Sequence, residues 1–222
     1  MTVILVVATI IFFLTMDWFV QRVKAKNAFP AEAEPRAIVD SYPVRVPKGV
    51  FFARSHTWLS LFPSGRVRLG VDDFVGSVLD HPEISFMRAA GEKVEKGDPL
   101  LVFSDGGRRL VVRTPISGEI VSLNHELRKN PLLMRDSLFS NGWAYTLKPE
   151  NSEELRSLML GEESRSWMKK ELRRLRDVII GLQGELAPAA ALQDGGAPVT
   201  GVLKHLNASA WKKFEDEFLE IQ

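Results

Sequence analysis

Hydrophobic and polar positions divide the chain into stretches with different rhythms. An almost unbroken apolar run begins at Val3 and ends at Val20, and residues 1–16 carry no charged side chain. Wound as a helix, residues 2–20 would span about 28 Å, close to the thickness of a bilayer core. One transmembrane helix is therefore predicted in an anchor segment over residues 1–24. Asp17 stands at its end beside Trp18 and Arg22, where a carboxylate reaches water or a cation. Arg22, Lys24 and Lys26 follow and nothing basic precedes. The positive-inside rule then puts the N-terminus outside and the rest of the chain in the cytoplasm, at the cytoplasmic (inner) membrane. A cleaved signal peptide competes through Ala31-Glu32-Ala33, but the basic n-region is missing and the apolar run is long for an h-region.

Residues 25–48 lose the apolar run and become rich in Ala, Glu and Pro. Proline at this density blocks helix continuation and favours extended backbone, so this is a tether, either a free spacer or a strap along a partner. From 49 to 149 the apolar positions come in short runs cut by turns. Strands are expected at 51–52, 56–62, 67–71, 84–88, 99–103, 110–113, 119–123 and 143–147. A short helix is expected over 72–79, with Asp72 or Asp73 near its N-cap. The strongest local signal is a hairpin. Apolar runs 100–103 and 110–112 flank Ser104-Asp105-Gly106-Gly107-Arg108-Arg109, and a Gly-Gly pair can take φ > 0 at both central positions of a tight turn.

Periodicity changes to helical after Pro149. Residues 152–182 are expected as a helix that Gly161 can interrupt, with a stripe of Met168, Leu172, Leu175, Ile179 and Leu182. Lys169, Lys170, Arg173, Arg174 and Arg176 fall on the other side. That basic side is either a solvated face or a contact for anionic headgroups or an acidic partner. Residues 183–200 form a small-residue linker. In the tail, residues 201–222, the positions Val202, Leu203, Leu206, Trp211, Phe214, Phe218 and Ile221 recur at helical spacing. Trp211, Phe214 and Phe218 must bury somewhere, on their own domain or in a partner groove.

Composition adds mostly exclusions. Of 222 residues 26% are charged and 45% hydrophobic, which suits one folded domain with appendages. A formal charge of +1, from 29 basic against 28 acidic residues, offers no global field for a polyanion, so nucleic acid is not expected as a partner. With no cysteine, disulfides, thiolate catalysis and Cys-based metal sites are excluded. His56, His81, His125 and His205 are scattered without ligand spacing, and no nucleophile elbow, phosphate loop or dinucleotide fingerprint appears. Asp72-Asp73 is explained by helix capping and Asp105 by turn chemistry. No catalytic constellation, metal site or cofactor is expected, and the chain is not read as an enzyme.

Several motifs stand around the hairpin in order: Ser55-His56-Thr57-Trp58, Leu69-Gly70-Val71-Asp72-Asp73-Phe74, and a turn from Gly91 through Lys96-Gly97-Asp98-Pro99. Thr114-Pro115-Ile116-Ser117-Gly118-Glu119 and Asn141-Gly142-Trp143-Ala144-Tyr145 follow. Together, over roughly residues 55–182, they resemble the H protein of the glycine cleavage system. The resemblance implies the flattened β-barrel or sandwich of lipoyl and biotinyl carriers, mainly β with helices, over residues 49–182. Spacing alone licenses only a small β-rich sandwich or barrel. The resemblance also implies a lysine at the hairpin tip, acylated by lipoic acid, whose arm shuttles a methylamine group between enzymes. Counted back from Pro115, that lysine position falls on Gly107, or on Arg108 after a slip of one residue. Glycine has no side chain, and a guanidinium stays protonated and is a poor nucleophile. The nearest lysines, Lys96 and Lys129, belong to another turn and to an expected helix.

Two functions are thus expected. The first is a non-catalytic, membrane-anchored structural subunit that braces a larger membrane complex, respiratory or photosynthetic, from the cytoplasmic side. The second is a membrane-tethered carrier or decoy module related to lipoate-dependent one-carbon transfer.

Overall fold

The computed structural model describes Met16 and residues 44–181, 200–205 and 208–219. The membrane-spanning helix expected between Val3 and Val20, the tether to residue 43 and the linker core therefore lie outside the described residues. Among the described residues no helix is long and apolar enough to cross a membrane.

All strand pairs are antiparallel. The larger sheet runs β10-β1-β2-β3-β9-β8-β5 and the smaller β4-β6-β7. In sequence these are β1 (Val50–Ala53), β2 (Thr57–Leu61), β3 (Val67–Val71), β4 (Glu83–Phe86), β5 (Lys93–Val94) and β6 (Pro99–Asp105). β7 (Arg108–Arg113), β8 (Gly118–Leu123), β9 (Trp143–Pro149) and β10 (Met159–Leu160) complete them. The core is made by the apolar alternates of both sheets, Leu59, Val67, Leu69, Ile120 and Leu147 from one and Ile84, Leu101, Phe103, Leu110 and Val112 from the other. Tyr145 stitches them: its ring meets Phe86 at 5.2 Å and its hydroxyl donates to Leu100 O across 2.9 Å. Burial pushes the Tyr145 phenol up to about 12.

Gly70 is demanded by packing rather than by a turn. A Cβ on Gly70 would stand 2.7 Å from the Trp58 indole, so only glycine lets that buried ring lie against β3.

Helices decorate the sheets: α1 (Asp73–Val78), α2 (His125–Lys129), α3 (Leu133–Asp136), α4 (Glu153–Arg156), α5 (Glu162–Gly181) and α6 (Ala208–Phe218). Asp72 is the N-cap of α1, accepting from Phe74 N and Val75 N. The helix expected over 152–182 is a correction. Its first part is a single turn, Met159–Leu160 pairs with β1 as a strand, and Gly161 at φ +60 resets the backbone before α5. Met168, Leu172 and Leu175 of the expected stripe are buried.

Candidate functional site

The hairpin apex is a two-residue turn. Asp105 pairs with Arg108, and Gly106 and Gly107 sit at φ +57 and +79, the conformation that the right-handed twist of the strands requires. A Cβ at either glycine would meet nothing within 4 Å, so the apex projects into open space. The apex offers no amine, and no lysine stands between Lys96 and Lys129. As built, it does not fit a covalently attached lipoyl group. Lys96 lies exposed at the open end of the hairpin instead, lining a cavity of about 220 Å³ with Phe52, Arg54, Pro115, Met159 and Glu163. Lys129 pairs with Glu126 across 2.8 Å on α2.

The flank of the hairpin is occupied. β7 is the edge strand of its sheet, and its carbonyl at Arg109 accepts the indole N–H of Trp211 from α6 across 3.0 Å. Trp211 is only 5% exposed, and Phe214 and Phe218 are buried with it. Phe214 stacks on Phe74 at 5.9 Å, and Phe218 meets the same ring at 5.3 Å. Arg174 holds the end of the tail helix from α5, its guanidinium 4.8 Å from the Phe218 ring and bonded to Glu217 O at 3.2 Å. The tail thus docks on its own domain, one of the two alternatives open for Trp211, Phe214 and Phe218. The cause is aromatic area: Phe74 presents a ring that Phe214 and Phe218 cover, while Trp211 bonds to β7.

Asp80 ties apex and tail together. Its backbone N–H donates to Asp105 Oδ2 at 2.8 Å, and its carboxylate pairs with Lys204 at 2.8 Å. The hydrogen bond from Lys204 holds the Asp80 carboxyl below its ordinary range. Gly201 N donates to Ser77 O at 2.8 Å, and a Cβ at Gly201 would strike Asp80 at 2.8 Å.

Beneath Phe74 lies His56, stacked at 4.0 Å and fully buried, with Trp167 of α5 on its other side at 4.9 Å. Its Nδ1 is 2.8 Å from Asp72 Oδ2, and its φ of +55 departs from the strand geometry expected of it. This pairing of His56 with Asp72 was not legible from spacing. It resembles a catalytic dyad only in composition. Closed between two rings and without exposed surface, it fixes the β1–β2 turn against the start of α1. Asp73 faces elsewhere and pairs with Arg45, Nε to Oδ2 at 3.1 Å. Among the described residues no group of three or more His, Asp or Glu gathers to hold a metal.

The basic side of α5 is split. Lys169, Lys170 and Arg173 are exposed, whereas Arg174 is engaged as above and with Glu171, and Arg176 pairs with Asp177 at 3.2 Å. Arg174 therefore leaves the group expected to face anionic surfaces.

The chain is similar to curated glycine cleavage H proteins over nearly their whole length. The H protein of Psychrobacter sp. (strain PRwf-1) is 29% identical over 118 residues, which is 53% of this chain and 94% of that protein. The probable H protein of Thermococcus gammatolerans is 30% identical over 119 residues, 53% of this chain and 88% of that one. Among solved structures, a glycine cleavage system H protein from Mycobacterium marinum matches with a TM-score of 0.45 at 22% identity, over 53% of this chain and 94% of that one. A family model described as glycine cleavage H-protein matches residues 50–171, more than half of the 222-residue chain, and the chain accordingly belongs to that family.

Proposed function

We propose that the chain is a family member that has given up carrier chemistry and serves as a non-catalytic structural subunit, tethered to the cytoplasmic membrane through residues 3–20 and bracing a larger membrane complex. The observation that carries the reading is the apex: Gly107 stands at the position where the resemblance implies an acylated lysine. The covered flank supports it, since Trp211, Phe214 and Phe218 fill with the chain's own helix a face beside the hairpin that a docking enzyme would otherwise approach. The tail lies beyond the matched residues 50–171, so it is an addition to the family body. Intact-mass measurement of the chain extracted from membranes in mild detergent is the test. The expected result is an unmodified mass and co-migration with larger partners. A lipoyl adduct on any lysine, or a chain that runs alone and monodisperse, overturns it.

Family membership itself favours a second reading, a membrane-tethered carrier or decoy in lipoate-dependent one-carbon transfer. Lys96 is the residue to watch, because it is exposed and lines a cavity at the open end of the hairpin. An adduct mapped to Lys96 would select this reading.

A further inference from the structure

We infer that the α5 face formed by Lys169, Lys170 and Arg173 is a docking surface for anionic lipid headgroups. This deepens the membrane-tether reading above and rests on it.

The orientation of α5 is fixed by its buried side. Trp167, Met168, Leu172 and Leu175 pack inward, so the 3.6-residue period sets Ser166, Lys169, Lys170 and Arg173 together on the outer side. These three cations differ from the other basic residues of the helix in having no carboxylate partner among the described residues. Arg165 pairs with Glu162, Arg174 with Glu171 and Arg176 with Asp177. Arg173 only returns a hydrogen bond to Lys169 O at 3.2 Å, which leaves its charge uncompensated.

The chemistry of the face selects the partner class. Stable protein interfaces are anchored by buried aromatic or aliphatic side chains, and among the described side chains this face presents none, since its neighbours are Glu162, Ser166 and Asp177. A negatively charged bilayer needs no such anchor, because it attracts cations over a Debye length without requiring a fitted pocket. A bilayer is also within reach on the tether reading. Residues 21–43 can span at most about 75 Å fully extended, and Arg22, Lys24 and Lys26 follow the apolar run. Three cations near such a surface should raise the apparent affinity roughly a hundredfold over a neutral one at low salt.

The test uses the full chain in nanodiscs of phosphatidylcholine alone or mixed with phosphatidylglycerol. With no native cysteine, S166C takes a single donor dye, and the discs carry an acceptor at headgroup level. Energy transfer should rise in the phosphatidylglycerol discs, fall at high salt, and vanish in K169E/K170E/R173E with an unchanged circular dichroism spectrum. Equal transfer in both discs, or insensitivity to the triple reversal, overturns the proposal. If the triple variant instead loses a protein partner in membrane extracts while phosphatidylglycerol has no effect, the occupant is an acidic protein and the lipid assignment falls. A chain that enters neither disc refutes the tether, and its co-sedimentation with phosphatidylglycerol vesicles then decides the face by itself.

Discussion

Tyr145 sets an alkaline limit on the fold. Its hydroxyl, buried between the sheets, donates to Leu100 O, and its ionisation is pushed from 10.0 to about 12, first of all by desolvation. The folded state therefore holds this proton where the unfolded chain has lost it. A raised value in the fold means that the contribution is complete below pH 10 and is lost as pH rises from about 10 to about 12, a fall of roughly 2 to 3 kcal/mol. Denaturant titrations at pH 7 to 12 should show this decline. Tyr145→Phe should cost about 1 to 2 kcal/mol at neutral pH, because Arg88 N loses its acceptor and Leu100 O keeps only the Met87 N–H, yet flatten the limb above pH 10. An unchanged alkaline slope in the variant would assign the limit to other groups. Residue roles were unevenly legible in the sequence. Asp72 as a cap and Gly106-Gly107 as a two-residue turn follow from local chemistry alone. His56 at φ +55 does not, because its conformation answers to Asp72 and Phe74, which come to it only through the pairing of β2 with β3.

The tail shows what an element gains from docking. A helix of 11 residues is marginal alone, so α6 owes its existence to the seat that Phe74, β7 and Arg174 provide. Truncating a buried Phe typically costs about 3 to 5 kcal/mol, more than one short helix can lose and stay seated. Phe214→Ala is thus expected to release the tail while leaving the β-body folded. Hydrogen exchange should rise across Ala208–Phe218 and trypsin should cut faster at the exposed Lys212 and Lys213, with the main melting transition little changed. A global loss of stability without local release would mean that the tail and body unfold as one unit. Acid should favour release as well. The Asp80 carboxyl is depressed by its bond to Lys204, so that contribution is present above its ordinary value of 3.8 and lost as pH falls through the depressed one. The stripe of Val202, Leu203, Trp211, Phe214 and Phe218 was readable from periodicity, but its destination was not. The seat is a ring and a carbonyl more than a hundred residues earlier. In α4 to α5 periodicity misled, because Met159 and Leu160 satisfy a helical stripe and a strand equally, and only β1 decides between them.

On the scale of the whole molecule, the folding unit is wider than the family match. The match runs from 50 to 171, yet Val44 and Val46 are buried and Arg45 binds both Asp73 and the carbonyl of Arg135. At the other end Leu172 and Leu175 of α5, Val202 and Leu203 beyond it, and the three aromatic residues of α6 are buried too. Hydrophobic patterning could announce apolar positions at both ends but not that they cover the barrel. The order β3-β9-β8-β5 joins strands separated by up to about 80 residues, a pairing that no local rhythm encodes. Burial of two valines is worth about 3 to 6 kcal/mol before discounting for residual burial in the unfolded chain. A chain beginning at Val44 should therefore keep the melting temperature of the full protein, while one beginning at Val50 should melt well below it, since removal of Arg45 also leaves Asp73 without its cation. Cutting after Glu171 as well should expose Phe74 and Trp167 and drive aggregation, which light scattering would register. If residues 50–171 alone melted as high as the chain from Val44 to its end, the flanking segments would be passengers. The burial of Val44, Val46, Leu172 and Leu175 would then contribute nothing to the cooperative unit.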